Sequence, residues 1–175
     1  MRESIVIMGV AGCGKSSLGA AVAGDEGLRL VEGDDHHSPE SRAKMKQGIA
    51  LTDADRDGWL ARLGQELAAA PEGLVLTCSA LKRAYRDRLR AASPGLRFVF
   101  LDVTREEAAL RVAARPGHFF SSALVDSQFA TLESPVGEPG VLRVDARLPL
   151  AELEAQVRAW LHPGAPSWAS GCPRT

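Results

Sequence analysis

A glycine-rich segment near the start of the chain has the residue types and spacing of a phosphate-binding loop. Residues 9–16 read Gly-Val-Ala-Gly-Cys-Gly-Lys-Ser and match the pattern GxxxxGK[ST] at every fixed position. Glycines let backbone N–H groups wrap closely around a phosphate, and the positive end of a following helix adds to the electric field. We expect Lys15 to reach the β- and γ-phosphates of a nucleotide and Ser16 to coordinate Mg²⁺. The predicted nucleotide-binding residues of this segment are Gly9, Gly12, Cys13, Gly14, Lys15, Ser16 and Ser17.

The loop alone does not identify the reaction that follows nucleotide binding. A kinase, a GTPase switch, an ATPase and a non-catalytic nucleotide sensor would all satisfy this pattern. Guanine specificity usually requires an Asn/Thr-Lys-x-Asp element, and the chain contains none. The sequence therefore favours ATP as the nucleotide, and the reaction has to be inferred from residues elsewhere in the chain.

An acidic residue follows the second candidate strand at a position suited to phosphoryl transfer. Asp34 comes shortly after the segment 28–31, and in an open parallel sheet the carboxyl ends of the strands line the ligand crevice. Transfer of a phosphoryl group to an alcohol needs a group that orients the hydroxyl and accepts its proton, and a carboxylate can do both. The alternative is that Asp34 and Asp35 only cap the next helix. We do not expect His36 and His37 to bind a metal, because no third ligand stands at a suitable spacing.

Basic residues recur after the third candidate strand, 74–78, although the net charge of the chain is −1. Lys82, Arg86 and Arg90 lie at i, i+4 and i+8, and hence near one face of a helix. The strand before them should direct Lys82 and Arg86 toward the crevice, where they would bind an acceptor that carries a carboxylate. We expect Arg90 to lie on a solvated face instead.

Two further arginines precede a Pro-Gly break. Arg111 and Arg115 share a helix face and lead into Pro116 and Gly117, which predicts a mobile lid over about residues 111–128. Closure of such a lid would exclude water and bring an arginine to the transferring phosphoryl group. The alternative is an ordinary surface loop anchored by apolar side chains.

The elements that must position these residues alternate between strands and helices. Short apolar runs predict strands at 5–8, 28–31, 74–78, 96–103 and 141–144. The remaining periodic segments predict helices at 15–23, 40–46, 55–70, 82–92, 105–115, 124–132 and 150–161. This alternation predicts an α/β fold with a parallel sheet and helices on both faces. We expect a single domain over residues 1–161 and a flexible tail over residues 162–175, where Pro, Gly, Ser and Ala dominate.

Composition restricts the partners and the location that we expect. Lysine plus arginine number 21 and aspartate plus glutamate number 22, so the basic excess typical of a nucleic-acid-binding protein is absent. The first apolar run is too short for a signal sequence or a membrane span, and no other stretch is long enough. Three cysteines stand far apart without metal-ligand spacing, which is typical of reduced thiols. We therefore expect a cytoplasmic protein that binds neither nucleic acid nor membrane.

Several sequence blocks beyond the phosphate loop match one family. The blocks are residues 33–37 (Gly-Asp-x-x-His), 44–48 (Lys-Met-x-x-Gly), 51–56 (Leu-Thr-Asp-x-Asp-Arg), 78–82 (Cys-Ser-Ala-Leu-Lys), 85–87 (Tyr-Arg-Asp), 117–120 (Gly-His-Phe-Phe) and 124–133 (Leu-Val-x-x-Gln-Phe-x-x-Leu-Glu). Through these blocks, over about residues 5–161, the chain resembles the thermoresistant, bacterial-type gluconokinases, small kinases of the shikimate-kinase and nucleoside-monophosphate-kinase group. The resemblance implies a five-stranded parallel sheet of order 2-3-1-4-5, a helical lid, ATP and Mg²⁺ as cofactors, and often a homodimer. It also implies phosphorylation of D-gluconate at O6.

The resemblance implies roles for individual residues as well. Asp34 is the implied base or hydroxyl orienter, and Lys15 and Arg115 are the other implied catalytic residues. Ser16 and Asp34 are the implied Mg²⁺-binding residues, with Asp34 acting through water. The implied acceptor contacts are Asp34, His37, Arg56, Lys82, Arg86, His118 and Gln128. The implied arginines on ATP are Arg115 and, second to it, Arg111. Two alternatives stay open: a related kinase for shikimate or another small hydroxylated acceptor, and a nucleotide-binding sensor without catalysis.

Overall fold

The computed structural model describes residues 2–114 and 122–165 and contains a five-stranded sheet. Its strands are β1 (Ile5–Met8), β2 (Arg29–Glu32), β3 (Leu74–Thr77), β4 (Arg97–Asp102) and β5 (Val141–Asp145). They lie in the order β2-β3-β1-β4-β5, and every neighbouring pair runs parallel. The predicted fold class and the strand order implied by the resemblance are confirmed.

Helices connect the strands and cover the sheet. In the described part of the chain they are α1 (Lys15–Glu26), α2 (Pro39–Lys46), α3 (Asp53–Ala68), α4 (Arg83–Ala92), α5 (Arg105–Ala113), α6 (Ser122–Thr131) and α7 (Leu150–Leu161). A short 3₁₀ turn, Gly33–His36, follows β2. None of these helices is long and apolar enough to cross a membrane. The predicted bounds differ from the observed ones by a few residues at most.

The start of α3 is fixed by a reciprocal cap. The Thr52 hydroxyl accepts a hydrogen bond from the Asp55 N–H at 3.1 Å, and the Asp55 carboxylate accepts one from the Thr52 N–H at 2.9 Å. Two of the unpaired donors at the helix start are satisfied in this way. The helix therefore begins at Asp53, before its predicted start, and its first turn presents Asp53 and Arg56 in a fixed orientation.

The central strands of the sheet are buried on both faces, and β1 contributes to two hydrophobic clusters. Ile5 and Ile7 belong to the cluster that includes side chains of α1, α5, α6 and α7. Val6 and Met8 belong to the cluster that includes side chains of α3 and α4. Burial on both faces explains why the strand is continuously apolar. Because β1 is the central strand, the loop after it lies in the middle of the sheet edge where parallel α/β folds bind ligands.

Candidate active site

The phosphate loop joins β1 to α1 and closes around the Lys15 side chain. The Lys15 ammonium donates hydrogen bonds to the carbonyl oxygens of Gly9 and Val10, both at 3.0 Å. Gly9 has a φ of 148°, and a Cβ at this position would lie 2.7 Å from the Cys13 sulfur and 2.9 Å from the Leu101 carbonyl oxygen. Only glycine therefore allows the loop to pass this closely beside β4.

Glu32, the last residue of β2, connects the phosphate loop to the neighbouring strand. Its carboxylate accepts hydrogen bonds from the hydroxyls of Ser16 at 3.2 Å and Thr77 at 2.5 Å. The Ser16 hydroxyl is thus held beside a carboxylate at the edge of the sheet. No role was predicted for Glu32, although its place directly after the second candidate strand is the same signal that singled out Asp34.

The 3₁₀ turn after β2 is packed closely against β3. A Cβ on Gly33 would lie 2.2 Å from the Thr77 carbonyl oxygen, so that glycine is required at this approach. The Gly33 carbonyl accepts a hydrogen bond from the Trp59 indole N–H at 2.7 Å, and the Gly33 N–H donates to the Thr77 hydroxyl at 3.3 Å. These contacts hold the backbone from which Asp34 projects into the pocket.

Asp34 presents an ionised carboxylate to the pocket. Its side chain is 73% exposed, because it opens onto the solvent of the pocket. Desolvation by the surrounding protein raises the pKa of this carboxyl. The polar contact with His37 and the positive charges of Lys15 and Arg42 outweigh that effect, so the pKa lies below its ordinary value of 3.8. The carboxylate is therefore available at neutral pH to accept a hydrogen bond from a hydroxyl group.

His37 lies between Asp34 and the aromatic wall of the pocket. Its ring stacks on Trp59 with the ring centroids 4.3 Å apart, and its side chain is only 6% exposed. The Nε2 atom is 3.6 Å from the Asp34 carboxylate, while the buried Nδ1 atom has no hydrogen-bond partner in the described residues. His37 therefore lies beside Asp34 in the pocket wall, where an acceptor contact is predicted for it.

One pocket brings together residues from the nucleotide side and the acceptor side of the predicted site. Its wall combines the phosphate loop, the turn after β2, the first turns of α3 and one face of α6. The predicted site residues in this wall are Gly12, Gly14, Lys15, Ser16, Asp34, His37, Arg56 and Gln128. Ser79, which follows β3, lines the pocket as well. The phosphates of a nucleotide and a small acceptor can therefore meet in this pocket.

The predicted lid is described only in part. Its helix α6 contacts the phosphate loop directly, because the Gln128 side-chain oxygen accepts a hydrogen bond from the Ala11 N–H at 2.6 Å. Arg115 and His118, to which the resemblance gives roles on ATP and on the acceptor, lie outside the described residues. The described part of the lid thus meets the nucleotide side of the pocket through Gln128.

Arg111 connects the phosphate loop to the end of β5. Its guanidinium donates to the carbonyl oxygens of Gly12 and Cys13, both at 3.4 Å, and to the carbonyl oxygen of Ala146 at 2.9 Å. It also pairs with Glu107 on the preceding turn of α5, at 3.0 Å. Arg111 is therefore placed beside the loop where a nucleotide would bind, which is consistent with the contact to ATP predicted for it.

The prediction that Arg86 faces the crevice is wrong. Arg86 is fully buried, with 0% of its surface exposed. Its guanidinium donates to the Glu138 carboxylate at 2.6 and 3.0 Å, and to the carbonyl oxygens of Ala80 at 2.7 Å and Glu133 at 2.9 Å. The expectation from helical spacing was wrong because Lys82 precedes α4 in an extended conformation. Lys82 and Arg86 therefore do not share one face of the helix.

Arg90 does not lie on a solvated face either, contrary to prediction. Its side chain is 18% exposed and pairs with Glu138 and Asp87, both at 2.9 Å. The guanidinium also lies over the Phe98 ring, 4.7 Å from the centroid. Arg90 thus extends the buried ion-pair network that holds Arg86.

Lys82 and Arg56, the two other cations predicted to contact the acceptor, lie on either side of Tyr85. Lys82 pairs with Asp53 at 3.1 Å and is not among the described residues of the pocket wall. Arg56 does line the pocket, and it donates a hydrogen bond to the Tyr85 hydroxyl at 3.2 Å. Of these two cations, Arg56 therefore lines the pocket and Lys82 does not.

Known proteins resemble this chain along most of its length. A family described as an AAA domain matches residues 5–139. The thermosensitive gluconokinase of Escherichia coli (strain K12) is 40% identical over 160 residues, which cover 89% of this chain and 86% of the relative. The gluconokinase of Gluconobacter oxydans (strain 621H) is 42% identical over 158 residues, which cover 88% of this chain and 89% of the relative.

The likeness extends to three-dimensional structure. The crystal structure of a gluconokinase from Sinorhizobium meliloti 1021 superposes with a TM-score of 0.82 at 45% identity, covering 97% of this chain and 98% of that chain. The structure and these relatives lead to the same assignment. The structural features are the phosphate loop after the central strand and the pocket that contains both a carboxylate and an arginine. The chain belongs to the gluconokinase family of P-loop kinases.

Proposed function

We propose that this kinase transfers the γ-phosphoryl group of ATP to O6 of D-gluconate, giving 6-phosphogluconate and ADP. The observation that carries the proposal is that Lys15, Asp34 and Arg56 line the same pocket. Lys15 belongs to the phosphate loop, Asp34 can orient a hydroxyl, and Arg56 offers a positive charge to a carboxylate. A sugar acid carries the two groups, hydroxyl and carboxylate, that this pocket is built to bind.

The chemistry needs little covalent participation from the protein. The acceptor oxygen bonds to the γ-phosphorus, the bond from that phosphorus to the ADP oxygen breaks, and the hydroxyl proton passes to the Asp34 carboxylate. In a loose transition state the proton leaves late, so a carboxylate of low pKa is suited to orient the hydroxyl first and accept its proton afterwards. Positioning and neutralisation of phosphate charge by Lys15 supply most of the rate.

The residues near the phosphate loop suit Mg²⁺. The Ser16 hydroxyl, the Glu32 carboxylate 3.2 Å from it, and Asp34 are all oxygen donors, and Mg²⁺ prefers oxygen ligands. The described residues contain no group of three or more His, Cys, Asp or Glu able to hold a metal ion. Such a group is not needed, because Mg²⁺ in kinases is bound through one or two carboxylates, waters and the phosphates of the nucleotide. When bound, the ion would neutralise charge on the β- and γ-phosphates.

An acceptor panel tests the proposed substrate. ADP release is measured with ATP and Mg²⁺ against D-gluconate, shikimate, nucleosides and other polyol acids. We expect the highest kcat/KM with D-gluconate. A higher value for another acceptor would replace gluconate as the substrate. Tight ATP binding without acceptor-dependent turnover would instead identify a nucleotide sensor.

Replacement of Asp34 tests the assignment of the hydroxyl-orienting group. Asp34→Asn should lower kcat by about 10²- to 10⁴-fold, because the amide cannot accept the proton, while KM for ATP stays within about twofold. Asp35→Asn, in the same turn, is the matched control and should leave both constants near those of the wild type. If Asp34→Asn weakened ATP binding without lowering kcat, Asp34 would be a metal-binding or structural residue.

We also propose that the enzyme is a homodimer that works in the cytoplasm. The family resemblance supports the dimer, and the buried free thiols of Cys13 and Cys78 suit a reducing compartment. Light scattering on the purified enzyme should give twice the chain mass of 18.6 kDa. A mass of one chain would contradict the dimer.

A further inference from the structure

Four side chains form a cluster beside the pocket, with Tyr85 at its centre, and of the four only Arg56 lines the pocket. This cluster, called here the tyrosine cluster, consists of Asp53 and Arg56 from α3, Lys82 before α4, and Tyr85 in α4. The Tyr85 hydroxyl donates a hydrogen bond to the Asp53 carboxylate and accepts one from Arg56 Nη1 at 3.2 Å. The Lys82 ammonium pairs with the same carboxylate at 3.1 Å. Both cations lie over the tyrosine ring, 5.6 and 5.7 Å from its centroid.

The charges within the tyrosine cluster are distributed unequally. Asp53 neutralises Lys82, whereas Arg56 forms no ion pair with any carboxylate of the described residues. Hydrogen bonds from Tyr85 and Lys82 lower the pKa of Asp53, so that it stays ionised at neutral pH. Within the described part of the chain, Arg56 therefore has no carboxylate in direct contact and is influenced by the Asp53 charge only at longer range.

The geometry of Arg56 leaves donors available for a ligand. A guanidinium carries five N–H groups in a planar fork, and the Tyr85 hydroxyl occupies the Nη1 side. A fork held at one end loses less rotamer freedom when its remaining donors bind a carboxylate in bidentate fashion. Tyr85 can thus prepare Arg56 for an acceptor that it does not itself touch.

We propose that Tyr85 and Asp53 are positioning residues for acceptor recognition: Tyr85 orients Arg56, and Asp53 neutralises Lys82, so that Arg56 alone receives the acceptor carboxylate. This inference rests on the proposed function, because it assumes that the acceptor is an acid. It assigns a task to two residues that do not line the described pocket. It also replaces the expectation that Lys82 and Arg86 bind the carboxylate.

Tyr85→Phe is the first test, since it keeps the ring and removes only the hydroxyl. We expect KM for D-gluconate to rise about three- to tenfold, the range that corresponds to the net contribution of one ordinary hydrogen bond. KM for ATP and kcat should stay within about twofold, because the phosphate loop and Asp34 are unchanged. A variant that merely packs less well would instead lose thermal stability or lower kcat without this selective change.

Arg88→Met is the matched control for this variant. Arg88 also lies in α4 and also bridges to α3, through an exposed ion pair with Asp57 at 2.8 Å. Its removal should leave both KM values unchanged. A KM for gluconate that stayed at the wild-type value in Tyr85→Phe would overturn the role of Tyr85.

A double variant tests the role of Asp53. Arg56→Met should raise KM for gluconate more than Tyr85→Phe does, because it removes the cation itself. Adding Asp53→Asn to Arg56→Met releases the Lys82 ammonium from its partner, and we expect KM for gluconate to fall again, toward the wild-type value. No recovery in the double variant would overturn the neutralising role of Asp53.

The acceptor panel distinguishes failure of this inference from failure of the proposed function. If the wild type prefers another acid to gluconate, the substrate is wrong, and the same KM comparisons with that acid decide the inference. If the wild type phosphorylates gluconate and Tyr85→Phe leaves its KM unchanged, the proposed function stands and the inference fails. If only uncharged acceptors are phosphorylated, both fail.

Discussion

Lys15→Ala is expected to lower the rate of phosphoryl transfer by about 10³-fold or more while the protein stays folded. The Lys15 ammonium is the cation of the phosphate loop, and charge neutralisation on the transferring group contributes on this order in P-loop enzymes. The lysine contacts backbone carbonyls of Gly9 and Val10 at 3.0 Å and forms no ion pair in the described residues. Its loss therefore removes catalysis and leaves the core unchanged. ADP release at saturating gluconate, with far-UV circular dichroism as the check on folding, measures the effect.

The control for Lys15→Ala separates loss of a specific cation from loss of charge in general. Arg88→Met removes an exposed positive charge on α4, away from the described pocket wall, and should keep near-normal turnover. Near-normal turnover of Lys15→Ala itself would refute the assignment of the loop to catalysis. Loss of activity together with loss of structure would mean that the lysine stabilises the loop.

The fold could be predicted closely because its signals are local. The strands β1 and β3 are apolar or nearly so and buried along their whole length, and such a strand can be identified from its own composition. Helix ends were harder to place. The first helix was predicted to end at residue 23, just before Gly24, but it continues to Glu26, and Gly27 ends it in a left-handed conformation with a φ of 64°. Which of two nearby glycines adopts that conformation depends on the packing of the helix, which the sequence does not show.

The site was predictable where its residues are contiguous and unpredictable where they depend on distant partners. The phosphate loop is one segment, so that its spacing alone places Lys15 and Ser16. Arg86 could not be placed in this way, because its partner Glu138 is 52 positions further along the chain. The role of Glu32 depends in the same way on Thr77, across the β2–β3 pairing.

The burial of Arg86 changes what its mutation should do. Its guanidinium links α4 to two other parts of the chain. It binds the Ala80 carbonyl in the loop after β3, and the Glu133 carbonyl and Glu138 carboxylate in the segment between α6 and β5. Ala80 has a φ of 47°, which is unusual for a residue with a side chain. The Arg86 bond at 2.7 Å therefore helps to hold a strained turn directly beside Ser79 in the pocket wall.

Arg86→Met should destabilise the protein by about 3–5 kcal/mol, because it leaves the buried carboxylate of Glu138 without its main partner. That loss is large against a typical total stability of about 5–15 kcal/mol. Urea unfolding at pH 7 measures it. Arg88→Met, on the same helix but exposed, should cost at most about 1 kcal/mol. A loss for Arg86→Met as small as that of the control would contradict the buried network.

The pH dependence of the stability lost in Arg86→Met tests whether that loss is electrostatic in origin. Desolvation raises the pKa of Glu138, but hydrogen bonds from Arg86 and Arg90 outweigh it and hold the pKa below its ordinary value of 4.5. The ionised Glu138 therefore contributes stability that is present above pH 4.5 and is lost as the pH falls through its folded-state pKa. In Arg86→Met the carboxyl loses a stabilising partner and is protonated at higher pH. The difference in unfolding free energy between wild type and variant should thus shrink as the pH is lowered from 7 toward 4, whereas a difference that arises from lost packing would stay constant.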